Sequence, residues 1–168
     1  MTMTDADLEM DRVDWLSTGT VGPPGQRTFF IQARQGHRQV TLQVEKAHVQ
    51  ALAERVAEIL ASMELASAPQ SDMSLQEPLE PSFRVSDVGL GFHEERGLFV
   101  LVARELRTDT EEAARVARLW ITPQAIGEFA ARAREVASKG RPLCPHCGLP
   151  VDPAGHPCPA ANGSKPIF

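Results

Sequence analysis

Apolar and polar residues alternate over short stretches in the first part of the chain. Residues 40–45 read VTLQVE, which has the two-residue period of a strand with one buried face. Residues 28–34 (TFFIQAR) are rich in aromatic and β-branched residues, and a loop of hairpin length separates the two stretches. Residues 13–21 are a further candidate, which ends at a Gly-Pro-Pro-Gly run. The pattern predicts three strands.

The period changes from Ala47, where apolar residues recur every three or four positions and polar residues occupy the opposite side. This is the pattern of an amphipathic helix with one face against a core. The apolar positions of that face are Val49, Leu52, Ala53, Val56, Leu60 and Met63.

The same order returns in the second part of the chain. Alternation predicts strands at residues 83–92, 98–106 and 115–121. A helix follows, with Thr122 as its N-cap and Pro123 as its first residue. A glycine at position 140 and a proline at 142 are expected to end it.

These elements predict an α+β fold built of two βββα-like halves that share one core, because either half alone would expose an apolar sheet face. Short matches support an internal repeat: Ala103-Arg104 matches Ala33-Arg34, Asp87-Val88-Gly89 matches Thr20-Val21-Gly22, and Leu119 and Phe129 match Leu42 and Leu52. The expected organisation is an acidic N-terminal tail (1–12), a first half (13–62), a linker or mobile loop (63–82), a second half (83–140) and a zinc-binding tail (141–168).

Charge and cysteine content restrict the class of protein. The chain has 17 basic and 22 acidic residues, a net charge of −5, so it has no overall attraction for nucleic acid or an anionic membrane. The first fourteen residues are acidic, unlike a secretory signal, and no stretch approaches the roughly 20 apolar residues of a membrane span. A cytoplasmic protein is expected. The three cysteines are then thiols or metal ligands rather than a disulfide framework.

All three cysteines lie in one short region of the tail, with the spacing of a metal site. Cys144 and Cys147 form a Cys-x-x-Cys pair followed by glycine, which lets the chain turn back towards the sulfur atoms. His156 and Cys158 lie two residues apart and, on an extended backbone, project to the same side. The four residues predict a tetrahedral structural Zn²⁺ site, because a site with four protein ligands leaves no position for a catalytic water.

Three alternatives to this ligand set stay open. His146 competes with His156 for the fourth position, although it lies inside the Cys-x-x-Cys turn. A thioredoxin-like redox pair is a second alternative, but it belongs between a strand and a helix, whereas this motif runs into a proline-rich loop. Unligated surface thiols are the third.

The remaining motifs do not identify a reaction. Gly89 and Gly91 lack the third glycine of a dinucleotide loop and are read as a bend. The histidines at 37, 48 and 93 are expected at the surface, and no residue has the context of a catalytic nucleophile or acid pair. Six cations of the predicted sheets are a candidate anion site or simply solvated positions: Arg34, Arg38, Lys46, Arg104, Arg115 and Arg118.

Several motifs in fixed order resemble the bacterial family called domain of unknown function 3090, over residues 13–163. They are TGTVGPPGQRTFF from Thr18, VEK from Val44, LAER from Leu52, FRV from Phe83 with Gly89 and Gly91, LWITP from Leu119, GRP from Gly140, CPHC from Cys144, DPAGHPC from Asp152, and Asn162-Gly163. The resemblance implies a cytoplasmic bacterial protein whose gene neighbours resemble lipid kinases and histidine-type phosphatases.

The leading functional hypothesis is therefore an accessory or protein-binding protein with a structural zinc site. A kinase-like or phosphatase-like partner is implied by the family resemblance alone. One alternative is an enzyme that holds a phosphorylated small molecule with sheet-face arginines. Another is nucleic-acid contact through the tail, where Lys139, Arg141 and Lys165 outnumber the single acid Asp152.

Overall fold

The computed structural model describes residues 8–23, 25–65, 72–107 and 114–138, together with the backbone of residues 156–157 and 166–167. The chain divides into two units. The first comprises Met1–Val21 and Thr28–Ala137, and the second comprises Gly22–Arg27 and Ser138–Phe168.

The first half of the chain contains four strands and a helix. Strand β1 spans Leu8–Val13, β2 Trp15–Val21, β3 Thr28–Gln35 and β4 Arg38–Val44, and helix α1 spans Lys46–Ser62. The alternating residues of β4 place Val40, Leu42 and Val44 in the core.

The second half repeats the order of three strands and a helix. Strand β5 spans Val85–His93, β6 Leu98–Glu105 and β7 Val116–Ile121, and helix α2 spans Pro123–Ser138. The Ala125 amide donates to the Thr122 hydroxyl at 3.2 Å, which makes Thr122 the predicted N-cap. The predicted α+β class is confirmed, while the predicted C-terminal zinc knuckle lies outside the described residues.

The strands of the first unit form two sheets. The order is β2-β3-β4 in one and β1-β7-β6-β5 in the other, with every pairing antiparallel except that of β1 with β7. Most of β1 comes from the segment expected to be an acidic tail. Its apolar side contributes Met10 and Val13, which are 1% and 0% exposed, to the core.

The two halves exchange their leading segments. Residues 8–13 precede β2 and pair in parallel with β7, the last strand of the second half. Residues 82–84 precede β5 and run parallel to β4, the last strand of the first half. The Ser82 amide donates to the Thr41 carbonyl at 2.8 Å, and the Gln43 amide donates to the Phe83 carbonyl at 3.1 Å. Each half thus completes its sheet with a segment of the other.

One core lies between the inner sheet faces and the two helices. It joins apolar residues from both halves, as the alternation predicts. Its largest fully buried side chains include Leu16, Ile31 and Leu42 of the first half and Phe99, Leu119 and Phe129 of the second.

Strand register allows positions of the two halves to be compared. Ala33 lies opposite Leu16, and Ala103 lies opposite Val88. The sequence match of Ala33 with Ala103 therefore equates Leu16 with Val88. The sequence matches of Ala33 with Ala103 and of Val21 with Val88 are therefore not compatible with one common register.

Residues 72–77, here called the strap, lie across the outer face of the β2-β3-β4 sheet. They have no helix or strand, yet side chains of the sheet hold them. The Trp15 indole N–H donates to the Asp72 carbonyl at 3.4 Å, and the Gln32 side-chain amide donates to the Gln76 carbonyl at 2.8 Å. This part of the expected linker is attached to the first half.

The second unit has a short antiparallel pair. Strand β8 (His156–Pro157) pairs with β9 (Pro166–Ile167), and His156 lies opposite Ile167. Within the described part of the chain, neither helix combines the length and apolar character that crossing a membrane requires.

Candidate functional site

The outer face of strands β5, β6 and β7, here called the Trp120 face, is the main candidate. Its positions follow from register, because residues opposite each other share a face. Gly91 lies opposite Val100, and Val100 lies opposite Trp120. These three residues are partly exposed, whereas their strand neighbours Phe99 and Leu119 are buried. A partly exposed apolar row with an aromatic end therefore lies on this face.

A cation and a histidine ring lie against Trp120. The Arg96 guanidinium carbon is 3.9 Å from the centre of the indole ring, and the edge-on His93 ring centre is 5.6 Å away. The indole N–H donates to Glu9 Oε1 at 3.1 Å. Arginine over a tryptophan face is an attractive cation–π arrangement. Elements from both halves thus orient this side chain.

The β5–β6 turn holds Arg96 in place. The Gly97 amide donates to the His93 carbonyl at 2.9 Å, and Gly97 has a positive φ of 65°, which favours glycine. The Arg96 amide donates to His93 Nδ1 at 3.2 Å. Since a backbone N–H only donates, Nδ1 is the unprotonated nitrogen in this arrangement. The turn therefore places the Arg96 guanidinium and the His93 ring against Trp120.

Two glycines keep the neighbouring edge of the Trp120 face flat. A Cβ added to Gly89 or Gly91 meets no described atom within 4 Å. At Gly19, the register equivalent of Gly91, the same atom would lie 2.7 Å from Leu75 Cγ. Leu75 of the strap therefore occupies the space above Gly19, whereas the described residues leave the space above Gly91 empty.

A second cluster is built around the Glu105–Arg115 ion pair. Arg115 Nη2 lies 2.8 Å from Glu105 Oε2, and the Arg115 amide also donates to Glu105 Oε1 at 3.1 Å. The Arg115 hydrogen bond lowers the pKa of Glu105 despite its burial, and Glu105 in turn raises the pKa of Arg115. Arg115 also donates to the Ser82 carbonyl at 2.8 Å and covers the Phe83 ring. The pair anchors the exchanged segment 82–84.

The predicted anion-binding cations occupy separate environments. Arg34 stacks on Trp15 at 4.6 Å, and Arg38 donates to the Glu9 carbonyl at 2.8 Å. Arg104 lies opposite Asp87 on β5, and Arg115 binds Glu105. The other two cations, Lys46 and Arg118, also have interaction partners. In the described residues these groups do not form one converging anion site.

His48 is half-buried and joins two elements. Its Nδ1 accepts the Glu45 amide at 3.0 Å, so Nε2 is the nitrogen that donates to the Ser86 carbonyl, also at 3.0 Å. The side chain thereby ties the start of α1 to β5. His37 is exposed in the β3–β4 turn.

The predicted zinc ligands lie mainly outside the described residues. This applies to Cys144, Cys147 and Cys158, and to the competing His146; of His156 the structure gives only the backbone, which is extended in β8. The described side chains contain no group of three or more His, Cys, Asp or Glu residues arranged to hold a metal. The zinc site stays a prediction, as does nucleic-acid contact through the tail cations.

Sequence reasoning did not identify Trp120 as a functional residue. The signal was present in the VARLWI stretch of β7, where Ala117, Leu119 and Ile121 occupy the buried positions and leave the tryptophan on the outer face. An aromatic residue at a position expected to be polar is the informative feature.

Comparisons with known proteins give a family and no individual relative. Neither curated proteins nor solved structures match this chain. The family described as a protein of unknown function (DUF3090) matches residues 8–158, which includes every described strand and helix of the first unit and the predicted zinc ligands. The chain therefore belongs to this family.

Proposed function

We propose that this protein is a cytoplasmic bacterial accessory protein that binds a protein partner through the Trp120 face. The observation that carries the proposal is partly exposed Trp120 on a sheet face that the described residues leave uncovered, with Arg96 stacked on its ring at 3.9 Å. Tryptophan and arginine are the residues most enriched among those that dominate binding energy at protein interfaces.

The composition of the face supports a protein partner with an acidic rim. Val100 and Trp120 supply an apolar centre, and exposed Arg96 and Arg104 lie around it. An apolar centre with a polar rim is the usual anatomy of a protein interface. Carboxylates on the partner would complement the two arginines and speed association.

The family resemblance supplies the candidates for that partner. Gene neighbours resembling lipid kinases and histidine-type phosphatases point to a kinase-like or phosphatase-like protein. The proposed role is to bind such a protein rather than to carry out its reaction.

The groove between the two helices does not by itself support an enzymatic role. A groove of about 140 Å³ lies between α1 and α2, lined by Ala57, Leu60, Ala61, Leu65, Ala130 and Arg134. Pockets for small molecules are usually larger, about 300–1,000 Å³. Its mostly alanine and leucine lining offers no acid, base or nucleophile beside the single arginine.

The tail is proposed to carry one structural Zn²⁺ on Cys144, Cys147, His156 and Cys158. Four protein ligands would close the coordination sphere, so the ion would fold the tail rather than activate water. The extended backbone of His156–Pro157 supports the requirement that His156 and Cys158 project to the same side.

We also infer that the two halves derive from an internal duplication. Their common element order, their equivalent strand registers and the reciprocal pairing of residues 8–13 with β7 and 82–84 with β4 support it. On this view the Trp120 face and the strap-covered face are equivalent surfaces with different occupants.

Partner binding is tested with purified full-length protein against the kinase-like and phosphatase-like neighbours. Trp120→Ala is expected to weaken binding by about 2 kcal/mol or more, roughly thirtyfold, and Arg96→Ala by a smaller factor. Arg134→Ala, at an exposed arginine of α2, is the matched control and should bind as the unmodified protein does.

Folding of each variant is checked by thermal unfolding, because Trp120 also contacts Glu9 and His93. Arg96 lies in an exposed turn, so its variant keeps the test valid if Trp120→Ala is destabilised. Undiminished binding by folded Trp120→Ala and Arg96→Ala would refute the assignment of this face.

A further inference from the structure

Side chains of the sheet form hydrogen bonds with the backbone of the strap. Gln32 makes a two-point contact with Gln76: its Nε2 donates to the Gln76 carbonyl at 2.8 Å, and its Oε1 accepts the Gln76 amide at 2.7 Å. Trp15 donates to the Asp72 carbonyl, and the Ser17 hydroxyl donates to the Met73 carbonyl. Side chains that bind main-chain groups select an extended conformation and not a particular sequence.

Two apolar side chains of the strap are seated on the sheet. Met73 is 7% exposed, and Leu75 occupies the space that a side chain at position 19 would need. These two residues alternate, so an extended segment presents both to the same side. Sequence selection by this groove therefore rests on two alternate apolar positions.

The sheet face beneath the strap combines polar side chains with Trp15 and Phe30, which are 5% and 8% exposed. Ser17, Gln32 and Thr41 are buried there, at 0%, 0% and 4% exposure, and Gln32 also donates to the Thr41 hydroxyl at 3.1 Å. Water can satisfy these groups if the strap leaves, whereas it could not replace the apolar contacts of the core. Release of the strap would uncover apolar surface of Met73 and Trp15 but would break no strand pairing of the β2-β3-β4 sheet, so it does not require global unfolding.

An acidic side chain marks one end of the groove. Hydrogen bonds from Ser74 lower the pKa of Asp72, and the charges of Arg34 and Arg132 lower it further. Arg132 also donates to the Thr18 carbonyl at 2.9 Å, which holds it at this edge of the sheet. Arg34 stacks on Trp15, whose indole N–H binds the Asp72 carbonyl, so both arginines lie near this end and a segment that begins with a carboxylate fits it.

We propose that the outer face of β2-β3-β4 is a groove for an extended peptide, which the strap closes in cis and which a partner protein's segment occupies in exchange. The segment would carry an acidic residue followed by apolar side chains at alternate positions, like Asp72, Met73 and Leu75. This surface is separate from the Trp120 face, so the inference goes beyond the proposed function and does not depend on it.

The test uses the full ¹⁵N-labelled chain and a synthetic peptide with the sequence of residues 72–77, its ends blocked. The chain has two tryptophans, and their indole N–H signals report on the two faces separately, since Trp15 contacts the strap and Trp120 does not lie on its sheet. Leu75→Asp removes the apolar contact of the strap above Gly19 and should release the strap. The variant should therefore bind the peptide at least tenfold more tightly than the unmodified chain. Binding should shift the Trp15 signal and leave the Trp120 signal in place.

Leu65→Asp is the matched control, because Leu65 is 41% exposed and precedes the strap. It should bind the peptide as weakly as the unmodified chain. Adding Gln32→Ala to Leu75→Asp should abolish binding. Equal affinity of Leu75→Asp and the unmodified chain would overturn the proposal, as would a shift confined to Trp120. A concentration-dependent dimer of Leu75→Asp without peptide binding would also overturn it, in favour of strap exchange between copies.

Hydrogen exchange of the unmodified chain decides the matter if Leu75→Asp does not fold. The Gln76 amide, bonded only to the Gln32 side chain, should exchange at least a hundredfold faster than the central amides of β3. Exchange at the same rate as β3 would mean that the strap opens only when the whole sheet unfolds, and would overturn the proposal.

Discussion

Gly19 and Gly91 show at the scale of single residues how equivalent positions acquire different roles. Both lie on the outer face of a sheet, at the same register relative to Ala33 and Ala103. Leu75 covers the first, and no described atom covers the second. The presence or absence of one covering side chain therefore separates a closed face from an open one.

Gly19→Ala is predicted to lower the free energy of unfolding by about 1–2 kcal/mol, because the new Cβ would lie 2.7 Å from Leu75 Cγ and force the strap to move. Gly91→Ala is the control and should change it by no more than about 0.5 kcal/mol. Urea unfolding measures both. In the double variant Gly19→Ala/Leu75→Ala the loss should be smaller than the sum of the single losses. Strictly additive losses would show that the two residues do not meet.

The Glu105 carboxylate makes the stability of the protein depend on pH. Its pKa is lowered in the folded protein, mainly by the hydrogen bond from Arg115. The stabilisation is therefore fully present above the unfolded carboxyl pKa, near 4.3, and is lost as the pH falls through the lower folded pKa. Glu105→Gln should cost about 2 kcal/mol at pH 7, and the difference from the unmodified protein should shrink in acid.

The control for this prediction is Glu58→Gln. Glu58 pairs with Arg55 at 3.5 Å, but both side chains are more than half exposed, at 69% and 54%. Exposed pairs of this kind contribute little, so its stability at pH 7 should change by less than about 0.5 kcal/mol. Denaturant unfolding at several pH values tests both variants. A Glu105→Gln difference that is as large in acid as at pH 7 would contradict the assignment.

At the scale of elements, what could be predicted depends on where the stabilising partners lie. Strands β3 and β4 were readable because their alternation and their shared turn are local. Strand β1 was not, because its alternation is short, lies in an acidic segment, and depends on a partner, β7, at the far end of the first unit. The strap gave no periodic signal, since Gln32 and Trp15 supply its hydrogen bonds from other elements.

The candidate site likewise has one feature that local sequence predicts and others that depend on distant residues. The outward direction of Trp120 follows from the alternation in β7, which a reader of the sequence can see. The stacking of Arg96 depends on the β5–β6 turn, and the bond to Glu9 depends on the non-local pairing of β1. Spacing alone therefore predicts the face but not the groups assembled on it.

Helix α2 begins at Pro123, as the sequence predicts, and its N-cap at Thr122 can be tested. Thr122→Ala removes the acceptor for the Ala125 amide and should lower the free energy of unfolding by about 1 kcal/mol. Thr122→Ser keeps a hydroxyl acceptor and should restore most of that loss. Thermal and urea unfolding compare the variants. Equal losses for alanine and serine would show that the capping hydrogen bond is not the cause.

At the scale of the whole molecule, the exchanged segments join the two halves of the first unit. Residues 8–13 complete the sheet of the second half, and residues 82–84 extend the sheet of the first. Because each half holds a segment of the other and both contribute to one core, separating them would break both sheets and divide the core. Among the described residues, the core fills the interface between the halves, the strap covers the outer face of β2-β3-β4, and the Trp120 face is uncovered.

The tail carries the last prediction, which concerns metal. Cys144, Cys147, His156 and Cys158 are expected to bind about one equivalent of Zn²⁺, which can contribute on the order of 10 kcal/mol to the folding of the segment that holds it. Purified protein should contain that equivalent by elemental analysis, and Cys147→Ser should lose it while the thermal unfolding of the first unit is retained.

Histidine variants decide which ligand completes the site. His156→Ala should lose most of the metal, and the neighbouring control His146→Ala should keep it; the reverse result would move the fourth ligand into the Cys-x-x-Cys turn. Because thiolates and neutral imidazole bind the ion, acid should release it as these groups take up protons. A metal-free chain with a protease-resistant tail would contradict the zinc assignment, and a reversible Cys144–Cys147 disulfide in that chain would favour redox chemistry instead.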